Sequence, residues 1–111
     1  PLQFPLTQCD FVNCIFYGSK DEEILPDDIE TAGVDFNYSF TNCLIKTKLD
    51  IIGLPFTNCF LNKDPGFVDV YKNDLKLDSG SVCIDAGTSG SFTDITCKPR
   101  TAIADIGAYE Y

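Results

Sequence analysis

An all-β fold, built as a right-handed parallel β-helix of few coils with an irregular C-terminal cap, is predicted by three observations. First, a short phrase of Asn-Cys followed by two large apolar residues occurs three times: Asn13-Cys14-Ile15-Phe16, Asn42-Cys43-Leu44-Ile45 and Asn58-Cys59-Phe60-Leu61. Second, no stretch of useful length carries the three-to-four-residue apolar spacing of an amphipathic helix. Third, the texture changes at Asp64, where the repeat gives way to segments punctuated by Gly, Pro and Ser. Residues 1–63 therefore read as coils and residues 64–111 as the capping region of one structural unit. A coil buries its faces only against its neighbours, so the end of a stack needs a cap.

The first extended segment, Phe11 to Tyr17, is short, rich in β-branched and aromatic residues, and stops at Gly18-Ser19. An acidic stretch from Asp21 to Glu30 follows, interrupted by Pro26. Its first reading is a solvated loop. Clustered carboxylates also suit a hard cation, which makes Asp27, Asp28 and Glu30 candidate calcium ligands, although the regular acid spacing and Gly of an EF-hand loop are missing.

The second segment, Phe36 to Thr47, changes pattern at Asn42. Phe36, Tyr38 and Phe40 alternate on one face before it, and Cys43-Leu44-Ile45 is continuously apolar after it. This switch fits a bend after which both sides of the strand are covered, and Asn tolerates the left-handed backbone that a bend requires. Asn37-Tyr38-Ser39 also matches a glycosylation acceptor, a motif frequent by chance.

The third copy follows quickly, so the spacing from Asn13 to Asn42 is 29 residues and that from Asn42 to Asn58 only 16. A coil tolerates this when its strands are kept and its loops vary in length. Recurrence at equivalent positions makes Asn13, Asn42 and Asn58 a structural ladder, hydrogen-bonded along the axis. Cys14, Cys43 and Cys59 then form a stack of small reduced thiols filling the interior behind the bends.

Bulk composition removes several chemistries. With 17 acids against 8 bases, the net charge of −9 repels phosphate backbones and anionic membrane surfaces, so no nucleic-acid partner is expected. Histidine is absent, which excludes His-dependent triads and imidazole metal sites. Six cysteines occur without a Cys-x-x-Cys pair, which argues against structural zinc; Cys83 and Cys97, outside the repeat, are the pair most open to a disulfide. No apolar run is long enough to span a bilayer. The absence of Met suggests a processed product or a piece of a longer chain.

The ending has its own logic. Asp64-Pro65 opens a turn, Phe67-Val68-Asp69 is a short apolar strand, and Leu75 and Leu77 alternate in the next. Val82 to Gly87 reads as a further strand, closed at Asp85-Ala86-Gly87, where Gly can adopt positive φ. Arg100, the only arginine, is the expected buried cation of a cap ion pair, with Asp85, Asp105 or Glu110 as its carboxylate.

Five segments of this ending, Asp64-Pro65-Gly66-Phe67-Val68-Asp69, Asp74-Leu75-Lys76-Leu77, Ser81 through Gly87, Pro99-Arg100 and Asp105 through Glu110, occur in an order that resembles a known family. It is that of bacterial cell-surface right-handed β-helix proteins with a choice-of-anchor Q type C-terminal region. The resemblance covers about residues 58–111. Two departures stand out: Cys83 lies where the family usually has a small residue such as Ala after Pro, and Cys97-Lys98 replaces the usual Gly-Asn before Pro-Arg. What the resemblance implies is a parallel β-helix of the pectin lyase-like kind and an extracellular or outer-surface location, more than any activity, since such folds host lyases, hydrolases and adhesins alike.

Three functions follow as expectations. The first is a non-catalytic end of an exported β-helix protein, structural, adhesive or in contact with a cell-surface or dietary polysaccharide. The second is a piece of a polysaccharide lyase or glycoside hydrolase whose groove lies on coils N-terminal to Pro1. The third is a calcium-stabilised surface module. The open first coil is also a candidate surface for self-association.

Overall fold

The structure is a computed structural model that describes residues 4–27, 32–89 and 93–111. It is all-β: eight short strands and, among the described residues, a single 3-10 turn at Val70–Lys72. The strands β1 (Asp10–Val12), β3 (Ser39–Thr41) and β5 (Phe56–Thr57) form one parallel sheet. A second parallel sheet holds β2 (Ile15–Phe16), β4 (Leu44–Ile45) and β6 (Phe60–Leu61). Each Asn-Cys phrase is thus the corner between a strand of the first sheet and a strand of the second, and three such corner units stack in register.

The corner is made by backbone conformation. Asn13, Asn42 and Asn58 have φ of 56°, 50° and 52°, the left-handed region that L-residues other than Asn, Asp and Gly enter at a cost. One left-handed residue redirects the chain without a loop, so only two residues, the Asn and the Cys, separate the first strand from the second. The corner stays within the ladder, because Asn13 donates its N–H to Thr41 O and Asn42 donates to Thr57 O.

Two apolar layers result. Inside the corner, Phe11, Phe40 and Phe56 stack with centroids 4.9 and 4.8 Å apart. Phe16 meets Phe11 and Phe40 edge-on, and Cys43 and Ile45 are completely buried beside them. Strand periodicity of two sends the preceding residues, Ile15, Leu44 and Phe60, to the opposite face of the second sheet. There they meet Leu77, Cys83 and Ile106. The continuous apolar run at Cys43-Leu44-Ile45 is therefore a strand covered on both sides, as the pattern switch at Asn42 requires.

The region after Asp64 begins with an antiparallel pair, β7 (Phe67–Asp69) and β8 (Asp74–Leu77), joined through the 3-10 turn and a left-handed Asn73. Beyond it the backbone differs from the expected strand. Residues 82–85 form turns, and Asp85 rather than Gly87 takes positive φ, at 54°. Gly87 serves close approach instead: a Cβ there would lie 2.8 Å from Asn13 Oδ1 and 2.9 Å from Ala104 O. Nor does this region simply plug one end. It runs along the outer face of the second sheet and reaches the first unit, where Gly107 donates its N–H to Asn13 O. A side chain at Gly107, whose φ is 114°, would meet Ile15 Cδ1 at 2.9 Å.

The acidic stretch through Asp27 is largely exposed, pinned by Ile24, which packs into the inner layer, and by Glu23, which accepts the Lys20 N–H at 2.7 Å. Asp28 and Glu30 lie outside the described residues.

Candidate functional site

Four sets of residues carry whatever chemistry the described chain offers. The Asn corners come first. Asn13 binds the backbone of Thr88 in both directions, donating Nδ2–H to Thr88 O at 2.9 Å and accepting the Thr88 N–H at 2.7 Å. Asn42 donates to the Thr88 hydroxyl, and Asn58 is exposed. The expected side-chain ladder along the axis is therefore replaced, at Asn13 and Asn42, by a shared clamp on Thr88. The reason is competition: the 87–88 segment lies close enough to use both functions of the Asn13 amide. Thr88 carried no signal in the sequence, where it opens a polar Gly/Ser/Thr stretch.

Behind the corners stand the cysteines. Cys43 is buried; Cys14 and Cys59 are half-buried, and all are free thiols. Each thiol hydrogen-bonds a carbonyl two residues back, Cys14 to Val12 O, Cys43 to Thr41 O and Cys59 to Thr57 O, at 3.3–3.5 Å. The Cys43 thiol beside Cys14 lowers the Cys14 pKa against its partial burial, and the same contact together with burial raises that of Cys43. Cys83 and Cys97 are not bridged: Cys83 is buried in the outer layer and Cys97 is exposed with a φ of 66°. Burial pushes the Cys83 thiol up.

The third set is a knot of three buried carboxylates around Arg100. Arg100 pairs with Glu110 at 3.4 Å and donates to the carbonyls of Asp105 (3.1 Å) and Gly107 (2.8 Å). Glu110 also accepts the N–H groups of Asp105 and Thr101, at 2.8 and 2.6 Å. Asp105 accepts those of Asp85 and Tyr111, at 2.8 and 2.6 Å. Asp94 accepts from the Thr96 and Lys98 N–H groups, the Thr96 hydroxyl and the Glu110 N–H.

Of the three expected partners, then, Glu110 holds the ion pair. Asp105 contributes its carbonyl to Arg100 while its carboxylate binds backbone. Asp85 is an exposed residue tied in through its N–H, because its left-handed backbone turns that group toward Asp105. Asp94 was not among the expected residues, although Asp94-Ile95-Thr96 is a sequence in which Asp bonds the backbone two residues on. The donors have electrostatic consequences. The Glu110 backbone N–H and the Thr96 hydroxyl lead the causes that hold Asp94 well below the usual carboxylate range. At Glu110 burial works upward and is outweighed by the N–H groups of Asp105 and Thr101, with Thr101 and Arg100 adding to the lowering.

The fourth set is a groove of about 690 Å³ at the β1–β2 end of the stack. Its floor is Phe11 through Phe16, and Thr88, Arg100 and Ala108 contribute to its wall. The lining is mainly apolar, and the Arg100 guanidinium beside it is already committed to Glu110 and two carbonyls.

Among the described residues no three His, Cys, Asp or Glu side chains converge as a metal site, and Asp27 is exposed. No helix among them is long and apolar enough to cross a membrane. No protein-family model, curated protein or solved structure matches the chain.

Proposed function

We propose that this chain is a non-catalytic structural module: the C-terminal part of a right-handed parallel β-helix in an exported or surface protein, serving adhesion, display or contact with polysaccharide. The reading as β-helix coils is supported by three corner units in parallel register on two sheets, and right-handedness by the general hand of parallel crossovers. The surface location is supported by the resemblance of the ending to the choice-of-anchor Q type region.

One observation carries the non-catalytic reading. The buried carboxylates Asp94, Asp105 and Glu110 each accept two or more backbone N–H groups, so they are spent on holding loops together. A general acid needs a raised pKa, and Asp94 and Glu110 are lowered. Glycoside hydrolysis needs two carboxylates facing an open cleft, one of them protonated, and these face backbone.

A glycan panel, including acidic and neutral plant and bacterial polysaccharides, tests the reading. Retention of the protein on one or more of them is expected, with no new ultraviolet absorbance from an unsaturated product and no new reducing ends. Turnover of any glycan would remove the non-catalytic reading. Absence of retention would leave display as the function and remove glycan contact.

A further inference from the structure

We propose that the corner cysteines form an oxidation site, in which Cys14 and Cys43 join in a disulfide that staples the first two corner units while Cys59 stays free. The inference starts from register. Val12, Thr41 and Thr57 are aligned on the first sheet, and Ile15, Leu44 and Phe60 on the second, so Cys14, Cys43 and Cys59 stand in one file at the corners between them. Their backbones are tied together: the Cys14 carbonyl accepts the Leu44 N–H, and the Cys43 carbonyl accepts the Phe60 N–H, each at 2.9 Å. All three side chains belong to the inner apolar layer. Aligned positions on adjacent strands are about 4.8 Å apart, within the Cα span of a disulfide, whereas Cys14 and Cys59, two spacings or about 9.6 Å apart, are beyond it. Cys43 can therefore bond either neighbour, but those two cannot bond each other.

The direction of the thiols selects the partner. Cys43 Sγ reaches back to Phe11 O of the first unit at 3.5 Å, and Cys59 Sγ reaches back to Phe40 O of the second, also at 3.5 Å. Cys43 thus leans toward Cys14 and away from Cys59. The Cys14 and Cys43 thiols are hydrogen-bonded to each other, while Cys43 feels Cys59 only through its charge. Both partners lie in units the chain itself supplies, so the pair is the same whatever adjoins either end of the stack. Their acidities are divided as a nucleophilic and a resolving thiol require: the bond from Cys43 lowers Cys14 to about 6, and the same contact together with burial raises Cys43. With hydrogen peroxide as the oxidant, the Cys14 thiolate attacks one peroxide oxygen, the O–O bond breaks and hydroxide leaves, giving a sulfenic acid. The Cys43 sulfur then attacks Cys14 Sγ, the S–O bond breaks, and the hydroxyl departs as water with the Cys43 proton. Two thiols and one peroxide become one disulfide and two waters. The bond closes the 29-residue step between the first two corners rather than the 16-residue step that follows, and closing the longer loop constrains the unfolded chain more. An oxidising setting rests on the surface location proposed above; the pairing rests on the stack alone.

Purified protein, treated with stoichiometric hydrogen peroxide, alkylated, and digested with trypsin and chymotrypsin, tests the pairing without reference to location. Cleavage at Phe11 separates Cys9 from Cys14 in the peptide map. The expected product is a monomer with a Cys14–Cys43 bond, an alkylated Cys59, and a Tm higher than that of the reduced chain by roughly 5–10 °C. Dithiothreitol is expected to return both thiols. A Cys43–Cys59 bond, or Cys14 and Cys43 both still free after oxidation, would overturn the proposal, and an unchanged Tm would refute the staple. In Cys43→Ala the resolving thiol is gone, so a sulfenic acid on Cys14 should persist long enough for capture by dimedone, with no link from Cys14 to Cys59. Appearance of that link would refute the spacing on which the pair rests. Cys59→Ala should leave the Cys14–Cys43 bond unchanged. Should Cys43→Ala fail to fold, the peptide map of the unaltered chain still decides.

Discussion

At the scale of single residues, the fold rests on a few positions where one atom more or less is not tolerated. Gly87→Ala drives a methyl into Asn13 Oδ1 and the Ala104 carbonyl, so it is expected to lower Tm markedly. Gly80→Ala, where nothing lies within 4 Å, is the matched control and should be close to neutral. Asn13→Gly keeps the left-handed corner and loses both bonds to Thr88, so about 1–3 kcal/mol of stability should disappear in urea unfolding. Asn13→Ala adds the backbone strain and should cost more than Asn13→Gly; the opposite ranking would mean that the corner conformation contributes little.

The carboxylate knot makes its own prediction. Asp94 and Glu110 have pKa values lowered on folding, so the native state binds fewer protons than the unfolded chain in the acid range. Their stabilisation is therefore fully present above the ordinary carboxylate pKa of about 4 and is lost as pH falls below it. Chemical denaturation from pH 7 to pH 2 should show stability falling through this window, and Asp94→Asn should flatten the fall. Arg100→Met leaves Glu110 charged, 1% exposed and without its cation, a change expected to cost about 3–5 kcal/mol.

At the scale of elements, strands of two or three residues have little stability of their own, and the stack exists because the second strands lie between two apolar layers, completely buried at β4 and partly at β2 and β6. Leu44, wholly buried between the two layers, is the test: Leu44→Ala should cost about 2–5 kcal/mol, whereas Leu75→Ala, on a largely exposed side chain of β8, should cost far less. This is also the scale at which the sequence was most informative. The Asn-Cys phrase marked each corner, and the shift from alternation to a continuous apolar run at Cys43 marked the doubly covered strand. What it concealed lay after Asp78. There the conformation is set by carboxylates bonding distant backbone, so no local periodicity records it. Val82 to Gly87 looks apolar enough for a strand, yet Cys83 and Ile84 are apolar because they pack under the second sheet. Arg100 and Glu110 were readable as charged residues in an ending that needs an anchor; Asp94 and Thr88 act through backbone partners that only the fold brings near.

At the scale of the whole molecule, the described chain is a short stack with a long splint. The three units alone would be quasi-one-dimensional, each touching only its neighbours. The ending converts them into a three-dimensional body by covering the outer face from the third unit to the first.

The clamp between Asn13 and Thr88 spans 75 residues of sequence, and it sets an order of events in time. During synthesis the first corner emerges before its side-chain partner Thr88 and the N–H of Gly107, which arrive only after all three corner units have been made. Until then Ile15 and the outer face of the second sheet have no cover, and exposed apolar surface of this kind makes nascent β-chains prone to aggregate. Contacts of such separation also make closure slow relative to a helical domain of equal length. Refolding should therefore show early burial of the Phe11–Phe40–Phe56 stack and late protection of the Thr88 and Gly107 amides. Chains carrying Gly87→Ala should accumulate in the first of these stages and aggregate from it.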